Sequence, residues 1–392
     1  MKGSHFRMPI RALYVCYFGL REPLVQTQVL PYLRELAAGG VEMSLLTFER
    51  ERAEPIGLDG IAWFSLPYHK RTWLKPFDIL RGAWFARRGK FDLIHGRSHV
   101  GTAIGALAKL FSRRRLIFDI RGFLAEEYVD SGNWRENGLL FRVTKMAERW
   151  LYRAADGFVV LTEKARESVP SCGKPLEVIP TCIDPARFAG DDRAELATDR
   201  PVFVYAGALG GYYLIDEMVA LIAQAGAFGL VLTQGSTATI TAAFERAGHA
   251  DYRVLQVAPD EVPRYLRAAD VALLLVRKSY ARRAMSPTKF AEYLAAGLPV
   301  IASAGIGDLD TVIPEMRVGV VMQDTSECGG HAAALGTGTQ GGGMAAALRG
   351  MEQLRRDAGL AARCREVART RYDLHAVGGA RYRRLYDAVM KR

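Results

Sequence analysis

Cysteine is scarce and scattered. Cys16, Cys172, Cys182, Cys328 and Cys364 form no CxxC pair, so their spacing offers neither a disulfide frame nor a zinc site. They read as reduced cytosolic thiols. Long apolar runs are missing too: none approaches the ~20 residues that cross a bilayer as a helix. The opening MKGSHFRMPIR has no apolar leader core. Met1 to Phe6 is expected to be an expression remnant, with Met8 near the native start. Acidic residues are outnumbered, 42 against 53 Lys and Arg, and the net charge of +11 favours an anionic partner. A nucleoside diphosphate, an anionic lipid or a nucleic acid would qualify. No RRM, zinc-finger or clear helix-turn-helix pattern occurs, so nucleic acid is not expected.

Apolar residues are plentiful at 49%, enough to build cores, and 392 residues exceed one typical core. Two domains are expected. The most informative stretch is Ala284 to Ser303, AMSPTKFAEYLAAGLPVIAS. Ser286-Pro287 reads as a helix start, because serine caps well and proline suits the first helical position. The helix is expected over Thr288 to Ala296, stopped by Gly297, with a short apolar strand after Pro299. A helix start flanked by Thr288 and Lys289 is ready for phosphate oxygens. Glu292 lies one turn beyond Thr288 on the same face, where a carboxylate can accept two hydrogen bonds from a diol. A nucleoside diphosphate offers both groups.

This stretch resembles the donor-site motif of the GT-B glycosyltransferases, specifically the large retaining family 4, or group 1. That family carries Glu-x7-Glu followed by small residues and Gly-x-Pro-Val. Glu292 matches the second glutamate, and Ala295-Ala296-Gly297-Leu298-Pro299-Val300 matches the tail. Ala284 stands where the first glutamate would be, so a usual sugar contact is missing. The form Ser-Pro-Thr-Lys ahead of the glutamate is similar to a variant of the same motif. Val178-Ile179-Pro180-Thr181-Cys182-Ile183-Asp184 resembles the family's interdomain joint, with Thr181 and Cys182 in place of Asn-Gly.

The rest of the chain alternates strands and helices. Arg11 to Phe18 reads as a buried strand ending at Gly19, followed by a loop with Arg21, a helix near Gln26 to Ala38 and a strand Glu42 to Phe48. Pro67 to Lys90 combines aromatic residues (Trp73, Phe77, Trp84, Phe85) with Leu80 at nearly helical spacing and eight basic or histidine residues. Two readings fit it. In the simpler, the aromatic face packs on the sheet and the charges are solvated. In the other, the patch docks on anionic lipid headgroups, at about 1 kcal/mol per charge. His95 and His99 fall at a strand-to-helix turn without an evident third ligand, so no metal is expected; His95 and Arg97 are candidates to line a ligand crevice. The strand Arg115 to Ile120 ends in Asp119-Ile120-Arg121-Gly122. The resemblance puts a histidine in that loop near the transferring sugar; here Asp119 and Arg121 occupy it. Arg121 is expected either to steady the leaving phosphate or to pair with Asp119 in shaping the turn.

In the second half, the strand Val202 to Ala206 ends in Gly207-Ala208-Leu209-Gly210-Gly211-Tyr212-Tyr213. The resemblance implies an Arg and Lys clamp on the diphosphate in this loop, and neither is present. Glycine-loop N–H groups, Lys278, Arg282, Arg283 and, first of all, Lys289 are the candidates to replace it. Arg282 and Arg283 otherwise read as a mobile solvated pair. Asp308-Leu309-Asp310 reads as a helix cap. His331 to Gly343 is glycine-rich, Met351 to Arg371 a charged helix, and Tyr382 and Tyr386 lie on a terminal helix.

The expectations are these. The fold is α/β and GT-B: a Rossmann-like acceptor domain over 8–185, a Rossmann-like donor domain over 186–372, the two facing each other across a cleft, and a helix over 373–392 crossing back to the first. The activity is a metal-independent retaining transfer from a nucleotide-diphosphate sugar, which is a co-substrate, to a glycan or lipid-linked acceptor. Arg121, Asp119 and Lys289 are the expected catalytic residues. Gly19, Arg97, Gly207, Gly210, Ser286, Thr288, Lys289 and Glu292 are expected to bind the donor. No other cofactor is implied. The expected location is cytoplasmic, with peripheral contact at the inner membrane face. A nucleotide-sugar 2-epimerase of the same fold and a non-catalytic nucleotide-sugar-binding protein are the alternatives.

Overall fold

The computed structural model describes residues 9–51, 53–71, 74–110, 112–209, 211–323 and 343–392. Trp73, Gly210, Cys328, Met1 to Phe6 and residues 331–342 lie outside them. The chain divides into two compact units, one of residues 1–180 with 374–392, the other of residues 181–373. These limits fall a few residues from those expected at 185 and 372.

Unit 1 is a parallel sheet with helices on both faces. Its chain runs β1 (Arg11–Val15), α1 (Pro23–Gln28), α2 (Leu30–Ala38), β2 (Glu42–Glu49), β3 (Ala62–Pro67), α3 (Lys75–Arg88), β4 (Leu93–Arg97), α4 (Ser98–Lys109), β5 (Arg115–Asp119), α5 (Leu124–Asp130), α6 (Leu139–Ala154), β6 (Gly157–Val160), α7 (Glu163–Arg166) and β7 (Leu176–Val178). The strand order is β3-β2-β1-β4-β5-β6-β7. Inner strands such as β4 and β6 are buried at every position, as strands covered on both faces must be. The order reverses between β1 and β4, so their carboxyl ends open the crevice where such sheets bind ligands. Gly96 lets α4 start close to β4: a Cβ there would fall 2.4 Å from Thr102 Cα.

Unit 2 repeats the plan with β8 (Val202–Ala206), α8 (Ile215–Gln224), β9 (Phe228–Leu232), α9 (Ala238–Arg246), β10 (Tyr252–Leu255), α10 (Val262–Arg267), β11 (Val271–Leu274), α11 (Thr288–Ala295), β12 (Val300–Ser303), α12 (Leu309–Met316), β13 (Gly319–Met322), α13 (Met344–Arg355) and α14 (Leu360–Arg371). Its order is β10-β9-β8-β11-β12-β13, with the reversal between β8 and β11. The chain then returns to unit 1 through a π-helical turn, Leu374–Gly379, and α15 (Ala380–Met390).

Three local expectations are corrected. The helix near Gln26 to Ala38 is two helices broken at Val29, because Pro31 has no N–H to carry the ladder through. The charged helix from Met351 is also two, parted where Asp357 accepts the Gly359 N–H at 2.8 Å. Most of the aromatic face of the Pro67 to Lys90 segment turns away from the sheet; Phe85 stands against Phe64 of β3, ring centres 4.9 Å apart. Asp78, Gly82, Ala83 and Ala86 of α3 turn inward, while Phe77, Leu80 and Trp84 are exposed. Close packing decides this: a Cβ on Gly82 would already meet Ile104 at 3.0 Å and Phe48 at 3.1 Å, leaving no room for rings.

Candidate functional site

In unit 2 the buried strand β8 ends at Gly207, whose φ of +140° few side chains tolerate. α11 starts beside it and sends Lys289 back over the strand end. Lys289 Nζ donates to the Tyr205 hydroxyl at 2.7 Å and stands 4.5 Å from the Tyr205 ring centre and 3.8 Å from that of Tyr213. A Cβ on Gly207 would come within 2.5 Å of Nζ, so the glycine makes the room that the lysine fills. Burial lowers the Lys289 pKa to about 7, against the pull of Glu292. The ring faces hold a cation in place without neutralising it.

Glu292 lies one turn along α11, half-buried. Its carboxylate makes no hydrogen bond among the described residues. Burial raises its pKa, opposed by the charges of Arg187 and Lys289. An acceptor in this state gains by meeting donors such as a pair of hydroxyls.

Around the glycine loop, the Arg277 N–H donates to the Tyr212 carbonyl at 2.8 Å, and its guanidinium to the Gly211 carbonyl at 3.0 Å. The Arg282 guanidinium lies 3.9 Å from the Tyr212 ring centre, and Arg283 lies 5.4 Å from that of Tyr280. The expected mobile, solvated pair is therefore half-buried and stacked, as planar guanidinium groups favour. Ser286 does not cap α11. Pro287 holds the cap position, and Ser286 Oγ instead accepts the Thr181 N–H at 3.0 Å, tying the motif to the joint segment within unit 2. Thr288 is the first residue of the helix and half-buried. Asp310 accepts the Gly305 N–H at 3.0 Å and closes a turn ahead of α12.

In unit 1 Asp119 ends β5 with no exposed surface. The Tyr14 hydroxyl donates to it at 3.1 Å, Arg121 Nε pairs with it at 2.9 Å, and His95 Nε2 stands 3.5 Å away. Burial would raise the Asp119 pKa, but the charge of Arg121 and the contact with His95 hold it well below the usual range. His95 Nδ1 lies 2.9 Å from the Tyr386 hydroxyl, and Arg121 Nη2 donates to that of Tyr382 at 3.0 Å, so α15 closes the network. Arg121 Nη1 has no hydrogen-bond partner among the described residues. Asp119, with no surface of its own, anchors Arg121. Arg97, also buried, donates to Gln28 at 3.2 Å. Gly19 is buried against Glu49, whose Oε2 would lie 2.7 Å from a Cβ there. Among the described residues no group of three His, Cys, Asp or Glu could hold a metal ion; His99 instead meets Glu148 at 3.3 Å.

Two family models match the chain in sequence, Glycosyltransferase Family 4 over residues 25–187 and Glycosyl transferases group 1 over residues 200–335. The chain belongs to the family 4, group 1 glycosyltransferases. No curated protein matches it significantly. Among solved structures, sucrose-phosphate synthase from Thermosynechococcus elongatus superposes with a TM-score of 0.75 at 17% identity, covering 97% of this chain and 100% of that one. Anabaena HepE in complex with UDP-glucose gives 0.66 at 14% identity, covering 96% and 100%. The lipopolysaccharide outer core galactosyltransferase WaaB gives 0.69 at 10% identity, covering 97% and 99%. These likenesses establish the GT-B fold: two Rossmann-like α/β domains.

In this glycosyltransferase the structure brings Gly207, Lys289 and Glu292 together at one end of the unit 2 sheet. It gathers Asp119, Arg121 and Arg97 around Tyr14 in unit 1. Ala284, in place of the first motif glutamate, is buried. Tyr205 and Tyr213 stand against Lys289 and Arg187 acts on Glu292; the sequence reading names none of the three as a site residue.

Proposed function

We propose that this glycosyltransferase binds a nucleoside-diphosphate sugar at the end of β8, with Lys289 against the diphosphate and Glu292 on the ribose hydroxyls. One observation carries the reading: the lysine of α11 occupies the space above Gly207. The loop after β8 lacks its own cations, and a single charge delivered from α11 takes their place. The first-turn N–H groups of α11 add partial positive charge, and Arg282 lies on the same loop through Tyr212. HepE is seen with UDP and UDP-glucose, which supports a uridine nucleotide as the first donor to test.

Transfer is proposed to retain configuration. The leaving phosphate, stabilised by Lys289, accepts the proton of the incoming hydroxyl, so no protein base and no metal are required. Arg121, with one unpartnered N–H group and a fixed anchor in Asp119, is the unit 1 residue suited to a polar contact with substrate. The acceptor is proposed to be a glycan or lipid-linked sugar. Calorimetric titration with UDP tests the donor site. Lys289→Met and Glu292→Ala should each weaken binding about tenfold or more, the range of a charge-assisted hydrogen bond. Unchanged affinity in both variants would reject the assignment.

A further inference from the structure

The sheet of unit 1 ends on one side at β3, which pairs with β2 alone among the described residues. The Tyr68 N–H donates to the Glu49 carbonyl at 2.8 Å, so Leu66, Phe64 and Ala62 bond inward in turn. Trp63 and Ser65 therefore point their N–H and C=O groups out of the sheet, where neither meets a partner among the described residues. Both ends of this open stretch are closed. The Ile61 N–H donates to the Leu58 carbonyl at 2.8 Å, and Arg81 Nη2 donates to the Pro67 carbonyl at 3.0 Å. Open edges invite pairing, and proteins guard them with charge, shortness or cover. The other outer strands are guarded in this way. β7 and β10 are three and four residues long and carry Glu177 and Arg253, and none of the four residues of β13 is exposed. β3 has six residues, four of them exposed, and no charge.

A second uncovered feature lies beside the edge. Phe64 is 38% exposed and its ring packs on Phe85, so Phe64 and α3 share one face of the sheet. α4 covers one flank of α3. On its outer side Phe77, Leu80 and Trp84 are 56–60% exposed and follow the helical repeat, which makes them a continuous row. They line a hollow of about 530 Å³ together with Leu74, His69 and Arg81. Single exposed apolar residues need no explanation, but an apolar row next to an unguarded strand does.

We propose that a second copy of this chain joins the sheet at β3, antiparallel, across a two-fold axis through Phe64. In that register Trp63 and the partner's Ser65 exchange N–H and C=O groups, and symmetry repeats the exchange on the other side of the axis. The two Phe64 side chains meet at the axis as a non-hydrogen-bonded pair, the kind that brings side chains closest. Both α3 helices then lie on one face of the joined sheet, beside the axis, where each apolar row has the other to pack on. Charge fits the same arrangement. Antiparallel pairing sets the amino end of one β3 against the carboxyl end of the other. Asp59, held by Arg34 yet 66% exposed just ahead of β3, faces the exposed Lys70 and Arg71 that follow β3 in the partner. An extended segment of another protein is the other occupant to weigh. Two outward residues between closed ends give such a segment little to hold, whereas a symmetric pair uses them twice. The proposal does not depend on the donor assignment in unit 2.

Sedimentation equilibrium of the full chain tests it. The wild type should be dimeric at about 100 µM and dissociate on dilution. Ser65→Pro removes an outward N–H at a place where an edge strand accepts proline. It should weaken the dimer about tenfold or more, while UDP titration stays as in the wild type. Leu80→Glu with Trp84→Glu attacks the contact from α3 with the strand intact, and keeps the test decisive if the proline variant unfolds. Cysteine linking reads the register. Under oxidation Phe64→Cys should give a covalent dimer above the wild-type background, its Cα atoms about 4.5 Å apart across the axis. Ala62→Cys should not, since its twin lies about 14 Å away. A wild type that stays monomeric at about 100 µM overturns the proposal. So does a dimer that both Ser65→Pro and the α3 pair leave intact, or one that links through Ala62→Cys and not through Phe64→Cys.

Discussion

Donor binding should take up a proton through Lys289. Its ammonium is held among Tyr205, Tyr213 and Gly207, and burial brings its pKa down to about 7. A diphosphate placed against it restores the charged form. Below about pH 7 the lysine is protonated with or without ligand, so it adds no pH dependence there. Above that point the free protein has lost the proton and binding must recover it. Affinity then falls by up to tenfold per pH unit until the pKa of the complex is passed. At about pH 8 the uptake approaches one proton, and the terminal phosphate of UDP, with a pKa near 6, no longer contributes. Calorimetry in buffers of different ionisation enthalpy reads this number directly. Lys289→Met should remove both the uptake and the slope, and weaken UDP by about ten- to a hundredfold, the worth of a charge-assisted bond of about 1.5–3 kcal/mol. The same change should stabilise unit 2. The lysine titrates at 10.5 when unfolded and at about 7 in the fold. The cost of holding it charged is therefore full below about pH 7, up to about 5 kcal/mol, and fades as pH rises toward the unfolded value. The variant should melt higher than wild type near pH 6 and alike near pH 10. Binding heats that do not depend on the buffer, or a Lys289→Met protein with wild-type affinity, would refute the reasoning.

Other outcomes follow from the same geometry. Gly207→Ala places a methyl 2.0 Å from Lys289 Cε and should reduce UDP affinity as much as Lys289→Met, with little further loss when the two are combined. Glu292→Ala should bind UDP about tenfold more weakly yet bind the 2′,3′-dideoxy nucleotide as the wild type does; equal losses for both ligands would remove the ribose role. Asp119→Asn strips the counter-charge from a buried arginine and should cost about 3–5 kcal/mol in urea unfolding. The Asp119 pKa is depressed in the fold, so its stabilisation is present above the ordinary value of 3.8 and is lost as pH falls through its folded value. The substitution should therefore flatten the acid limb of the unfolding curve.

The donor helix was legible because its signals are local: a proline start, a glycine stop and an apolar face lie within Pro287 to Gly297. The place of Lys289 at the cation-poor glycine loop was legible too, since a charge at a helix start beside such a loop leaves few other positions. The aromatic seat under it was not. Tyr205 reads as one more buried strand residue, and only folding brings it 2.7 Å from a lysine 84 positions away. Arg187 near Glu292 has the same history. For α3, periodicity marked one apolar face but not which face turns inward; the small residues Gly82, Ala83 and Ala86 settled that by fitting against α4 and the sheet. At Asp119–Arg121 the ion pair could be read from two positions in a turn. Its closure by Tyr382 and Tyr386, which come from the far end of the chain, could not.

That closure bears on how the protein is made. Residues 374–392 belong to the unit that residues 1–180 begin, and they leave the ribosome only after all of unit 2. Until Tyr382 and Tyr386 arrive, His95 and Asp119 lack the side chains that shut them away from water. The opening half of the polypeptide must therefore wait, incompletely folded, through synthesis of all of unit 2. A nascent chain stalled short of α15 is the species a chaperone or protease would meet.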